Sequence, residues 1–156
     1  MAALSDFLEN KIIDWLFRGQ AIGITGASAA AGTGPTNLHV ALLTAAPSDA
    51  GGGTEVAGGS YARVSVASSL ANWAGTQAAA STVASSGTSG TTSNNGAITF
   101  PTPTANWGVV THFGIYDAVT GGNLLFWGAL TTSKTVNNGD AAPSFPAAAL
   151  SLQIDN

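Results

Sequence analysis

His39 and His112 are the side chains of this chain best suited to move a proton near neutral pH, and each falls in a segment that reads as a strand. His112, Asp117 and one of the many serines can be drawn as a hydrolytic triad. No Gly-x-Ser-x-Gly elbow is present, however, to raise a serine above a sheet. A zinc site needs three or four ligands, and the chain has no cysteine to add to its two imidazoles. Asp49, Glu55, Asp117 and Asp140 all sit beside turns, where carboxylates mostly cap backbone N–H groups. A calcium site built partly from carbonyl oxygens is the alternative reading of these acids. The run from Gly23-Ile24-Thr25-Gly26 to Gly32-Thr33-Gly34 superficially suggests a phosphate cradle. Such a loop needs a strand before it and a helix after it; here a helix precedes and Pro35 follows. Trp73 and Trp107 are candidates for stacking on a sugar or receptor, weighed against burial, which is what tryptophans mostly serve. The residues therefore predict a protein that is not an enzyme and that holds no metal and no cofactor.

Composition narrows the partners. Four basic residues against eight acidic ones leave a net charge of −4, too little positive charge to neutralise a phosphate backbone, so no nucleic acid is expected. No apolar run approaches the roughly 18 residues of a membrane span. Met1 to Gly19 does not read as a secretory signal, because Asp6, Glu9, Lys11 and Asp14 interrupt it. Only 8% of residues are charged, which leaves weak repulsion between copies and suits a chain packed against neighbours.

The elements are read from periodicity. Residues 1–19 form an amphipathic helix: Leu4, Leu8, Ile12 and Leu16 recur every four residues, and Phe7, Ile13, Trp15 and Phe17 widen the stripe. Asp14 and Arg18 are an i,i+4 pair, and Gly19 is placed to end the helix. Leu4, Leu8, Ile12, Trp15, Leu16 and Phe17 form the candidate interface, either as a lid on the protein's own sheet, as an anchor on a partner, or as both. Residues 20–36 read as a flexible Gly/Ala arm. Residues 37–156 read as a single β-rich domain of six or seven short strands, with a low-complexity surface loop at about 70–97 whose residues 74–97 offer no apolar anchor. Strands are expected at 37–43, 61–66, 98–100, 107–116, 124–130 and 150–154, with the 107–116 and 124–130 segments joined as a hairpin. The predicted fold is mainly β, an antiparallel β-sandwich or barrel-like domain with one N-terminal α-helix.

The order of these segments resembles a family of small phage virion structural proteins, often labelled tail-fibre proteins. The resemblance lies in Leu4-Ser5-Asp6-Phe7-Leu8-Glu9-Asn10-Lys11, in Leu38-His39-Val40-Ala41-Leu42-Leu43-Thr44-Ala45-Ala46-Pro47, and in Gly59-Ser60-Tyr61-Ala62-Arg63. It continues through Thr111-His112-Phe113-Gly114-Ile115-Tyr116-Asp117, Thr120-Gly121-Gly122-Asn123-Leu124-Leu125-Phe126 and Lys134-Thr135-Val136-Asn137-Asn138-Gly139-Asp140. Residues 67–95 depart from the pattern by being longer and richer in Ala and Ser. The resemblance implies a non-enzymatic particle component, located in the virion, with other phage structural proteins as partners (the major capsid protein or tail subunits). A homo-oligomer is expected, threefold symmetry being common in such particles. A compact domain without shaft repeats favours a capsid decoration or cement protein, with a tail fibre, baseplate or adaptor component, receptor-binding included, as the alternative.

Overall fold

Ser5 starts the helix of this chain: its hydroxyl accepts from the Leu8 amide, satisfying one of the free N–H groups of the first turn. The computed structural model describes residues 4–23 and 34–154. Within them α1 runs Asp6–Leu16, and Gly19 takes the left-handed conformation (φ +66°) that closes the helix. The predicted arm at 20–36 lies mostly outside the described residues. Nine strands follow: β1 Asn37–Ala45, β2 Thr54–Glu55, β3 Val64–Ala67, β4 Thr91–Ser93, β5 Ile98–Thr99, β6 Gly108–Tyr116, β7 Leu124–Val136, β8 Ser144–Phe145 and β9 Ser151–Gln153. The fold is mainly β and antiparallel, as the alternation predicts.

Grouped by their internal packing, the residues fall into two compact units. The first combines the N-terminal stretch through Asn37 with Ala67–Ile98 and the stretch from Phe145 onward; the second combines Leu38–Val66 with Thr99–Ser144. The chain passes from one unit to the other four times, within β1, β3, β5 and β8.

The second unit is built on one antiparallel sheet of order β2-β1-β6-β7, with β3 also paired to β1; no pairing among the described residues closes it into a barrel. β1 is central and buries residues on both faces, which is why Leu38, Val40 and Leu42 and also Ala41 and Leu43 are shielded. The predicted hairpin forms, with Gly114 opposite Trp127 and Ile115 opposite Phe126. Its first strand needs glycine at 114, since a methyl there would stand 2.9 Å from the Tyr116 ring. An aromatic cluster completes this core. Trp107 meets Tyr61 edge-on at 5.3 Å and donates its indole N–H to the Gly59 carbonyl at 2.9 Å, and Phe100 stacks on Tyr61 from 6.3 Å.

The first unit contains the segment at about 70–97, whose middle, 77–89, is irregular and mostly exposed and whose two ends enter the core. Trp73, Ala74, Thr92, Ser93 and Asn94 are buried, and β4 pairs with β9 through Thr92 opposite Leu152. Beyond the buried Trp73 ring, the anchor is polar. Arg18, with no exposed surface, spends all five of its N–H donors. Nε donates to the Trp73 carbonyl (3.0 Å), Nη1 to Asp14 (2.6 Å) and the Ser85 hydroxyl (3.0 Å), and Nη2 to the carbonyls of Ser81 (3.2 Å) and Val83. The Asp14 carboxylate in turn accepts from the Ser85 amide at 2.9 Å, and the Asn10 amide group donates to the Gly87 carbonyl at 2.9 Å. Asn10, Asp14 and Arg18 are spaced by four, so one helical face ties down the whole Ala/Ser/Gly segment. Asn94 holds the other end, donating to the carbonyls of Gly96 and Pro146 and accepting from the Leu150 amide.

Candidate functional site

The candidate surface is the flank of α1 that this packing leaves over. Glu9, Ile13 and Phe17, again spaced by four, are buried beside Asp14 and Arg18, and Phe17 meets the Trp73 ring edge-on at 5.2 Å. The face turned into the unit is therefore the row 9-13-17 with the row 10-14-18. The stripe Leu4, Leu8, Ile12 and Leu16 lies to one side of it. Leu4 is 43% exposed and Phe7 58% exposed, while Leu8, Ile12, Trp15 and Leu16 are half-buried. Of the predicted interface, Leu4, Leu8, Ile12, Trp15 and Leu16 thus stand together on an accessible flank, and Phe17 is removed from it because the Trp73 ring covers it. Phe7, which the stripe contained but the candidate interface omitted, is the most exposed of the group; Lys11 stands over its ring at 5.7 Å. At the end of the helix the returning chain passes so close that a methyl on Gly34 would meet the Trp15 carbonyl.

The tryptophan candidates resolve differently. Trp73 is fully buried and Trp107 nearly so, and both rings are engaged in the aromatic contacts above, so neither offers a face for stacking. Trp127 on β7, which sequence reasoning passed over as an ordinary strand residue, is the exposed indole at 39%.

The catalytic constellation drawn from the sequence does not assemble. Both carboxylate oxygens of Asp117 are taken by Asn123, Oδ1 by its backbone N–H and Oδ2 by its side-chain amide, each at 2.7 Å. Those bonds fix the β6–β7 turn and hold the Asp117 carboxyl below its usual range. His112 shares a 2.7 Å hydrogen bond with its neighbour Thr111. His39 shares one of 2.8 Å with Ser65 through Nδ1. Among the described residues no group of three His, Asp or Glu side chains could hold a metal ion.

The second unit has its own polar clasp. Arg63 forks onto Glu55, Nε to Oε1 at 2.9 Å and Nη2 to Oε2 at 2.7 Å, and donates through Nη1 to the carbonyls of Ala118 (2.7 Å) and Gly121 (2.8 Å). Its guanidinium lies 3.6 Å from the Tyr116 ring centre. The Glu55 hydrogen bond raises the Arg63 pKa above an already high value. Tyr61 donates its hydroxyl to Glu55 and accepts from the Leu42 amide, and burial above all pushes its pKa up.

Burial, and then the positive charge of Arg63, lower the pKa of His39, with Asp117 opposing. The folded protein thus binds fewer protons at His39 than the unfolded chain. That contribution to stability is present above about pH 6.5, is lost as pH falls towards the lowered folded value, and is flat below it. Thermal melts across this window should therefore show a small acid-side decline, reduced in His39→Gln. A slope identical in the two proteins would assign it elsewhere.

These features define a small, mainly β protein organised by an arginine clasp in each unit, that of Arg18 fully buried, and by a helix with one apolar flank left open. Residues 3–153 match the model of a family described as Podophage GP4 fiber I protein gp80, and the chain belongs to this family, Gp80. The resemblance to phage virion and tail-fibre proteins stated from the sequence is thereby shown, and with it a structural protein of the phage particle. No curated protein matches the chain.

Proposed function

We propose that this protein is a fibre subunit of a podophage-type particle, held to neighbouring virion subunits by the open flank of α1, and that it works without turning over a substrate. The observation that carries this reading is the division of labour on one helix. Ile13, Phe17 and Arg18 are spent on the protein's own core, while Leu4 and Phe7 remain in solvent on the adjacent flank. Scattered exposed apolar residues are ordinary, but here they continue a stripe through Leu8 and Ile12. The family description speaks for a fibre. The decoration or cement role expected from the compact domain would use the same flank, and copy number separates the two. Quantitative mass spectrometry of purified particles should give a few copies or a few tens, in multiples of three for trimers; hundreds per particle would mean a head protein.

Deleting residues 1–18 would remove Ile13, Phe17 and Arg18 from the core and so cannot separate anchoring from folding. Point changes can. Phe7→Glu and Leu4→Glu should leave the melting temperature within a few degrees, since surface substitutions usually shift stability by about 0.5 kcal/mol or less. The same changes should reduce incorporation into particles tenfold or more. Normal incorporation of the double variant would end the anchor reading.

A further inference from the structure

Trp127 projects from β7 beside a concavity of about 210 Å³ lined by Ser48, Asp49, Gly51, Leu124, Leu125 and Trp127, all within the second unit. We infer that this concavity is a binding site for a neutral pyranose ring, with Trp127 as the stacking platform and Asp49 as the hydroxyl acceptor. The inference goes beyond the fibre assignment and rests on other residues.

The site has rigid walls. Trp127 sits in a paired strand opposite Gly114, and the His112 ring lies 6.0 Å from the indole at a tilt of 54°. The Ser48–Gly51 turn, which also lines the concavity, is closed by reciprocal backbone bonds, Ser48 N–H to the Gly51 carbonyl at 3.0 Å and Gly51 N–H to the Ser48 carbonyl at 2.8 Å. The Ser48 hydroxyl adds a bond to the same Gly51 carbonyl. The turn presents Asp49 with its carboxylate exposed and without a hydrogen bond or ion pair among the described residues.

The chemistry of the lining selects the ligand. A pyranose has one flat face of C–H groups that packs on an indole, and a rim of hydroxyls that donate to a carboxylate. The volume lies below the roughly 300–1,000 Å³ of clefts that take drug-sized ligands, so it suits a single ring. No Lys or Arg lines the concavity, Asp49 is acidic and the chain carries a net charge of −4; an anionic sugar would be repelled.

The test is intrinsic fluorescence of the full chain titrated with glucose, galactose, N-acetylglucosamine and N-acetylgalactosamine to about 100 mM, with galacturonic acid as the charged comparison. Trp73 and Trp107 are buried, so a bound ring changes emission chiefly at Trp127. At least one neutral sugar should give a saturable change with a Kd in the millimolar range, weakened several-fold in Asp49→Ala, and calorimetric titration, which needs no reporting indole, should show it weakened tenfold or more in Trp127→Ala. Trp15→Phe should bind as the parent chain does. If Trp127→Ala loses its fold, Asp49→Ala and calorimetric titration of the unaltered chain still decide the matter, because Asp49 lies on an exposed turn. No saturation by any neutral sugar, equal binding by both variants, or binding of galacturonic acid alone overturns the inference. Copy number in the particle is untouched by any of these results, so the fibre reading stands or falls separately.

Discussion

Arg18→Ala should destabilise the first unit by about 3–5 kcal/mol, the cost of removing one partner from a buried ion pair and leaving the other without compensation. For a chain of this length that corresponds to a melting temperature lower by roughly 10 °C. The loss goes beyond the pair itself. The carbonyls of Trp73, Ser81 and Val83 lose their Arg18 donor together, and Asp14 is left at the bottom of the gap with only the Ser85 amide. Hydrogen exchange should accordingly accelerate across 73–94 and at Ser85 while β1 and β6 keep their protection. Arg18→Lys should recover little, because an ammonium has three donors on a point charge where the site uses five in a planar fork. Protection of 73–94 retained in Arg18→Ala would show that the segment is held by its own contacts and not by this side chain.

Arg63→Ala is expected to cost about 2–3 kcal/mol in the second unit, less than the figure for a fully buried pair because the Glu55 side chain keeps 27% of its surface in water. Three segments meet at this guanidinium. Glu55 belongs to β2, Arg63 precedes β3, and the Ala118 and Gly121 carbonyls belong to the β6–β7 turn. Its removal also leaves the face of Tyr116 uncovered and Glu55 held by Tyr61 alone. Exchange at 117–123 and at β2 should rise, and Glu55→Gln should produce part of the same change. A double-mutant cycle of the two positions should return a coupling of about 1 kcal/mol or more. Additive effects would show that the bidentate geometry contributes nothing beyond two separate side chains.

The parts of the fold legible in the sequence were those held by apolar periodicity. β1, β6 and the first half of β7 alternate in Val, Leu, Ile and Phe, and the hairpin was marked by Asp117 and the glycines at 121 and 122. The helix was legible as a helix, but its buried face was not. Counting apolar residues selects Leu4, Leu8, Ile12 and Leu16, whereas the row that enters the core mixes Ile13 and Phe17 with Glu9, Asp14 and Arg18. Buried charges invert the usual rule, and no periodicity reveals that an i,i+4 ion pair points inward. The same blindness hid what holds 74–94: a stretch rich in Ala, Ser, Gly and Thr has little apolar signal of its own, and its polar anchor is a donor fork more than fifty residues away. Tyr61 and Arg63 stood in the recognised motif, but only the fold brings Glu55 and the 118–121 carbonyls to them. Trp127 was findable in principle. It alternates with Phe126 and Gly128 along β7, and the hairpin register puts it opposite a glycine.

What Arg18 grips has a bearing on how this region can change. Three of its contacts are to main-chain oxygens, which every amino acid supplies, so the path of 73–87 depends on the shape of the backbone far more than on which side chains decorate it. Such a stretch can be rewritten almost letter by letter and still follow its course, provided the few small residues at tight approaches stay small. A virion surface that must keep its frame while altering its outward face could have that freedom here, with the guanidinium as the fixed point.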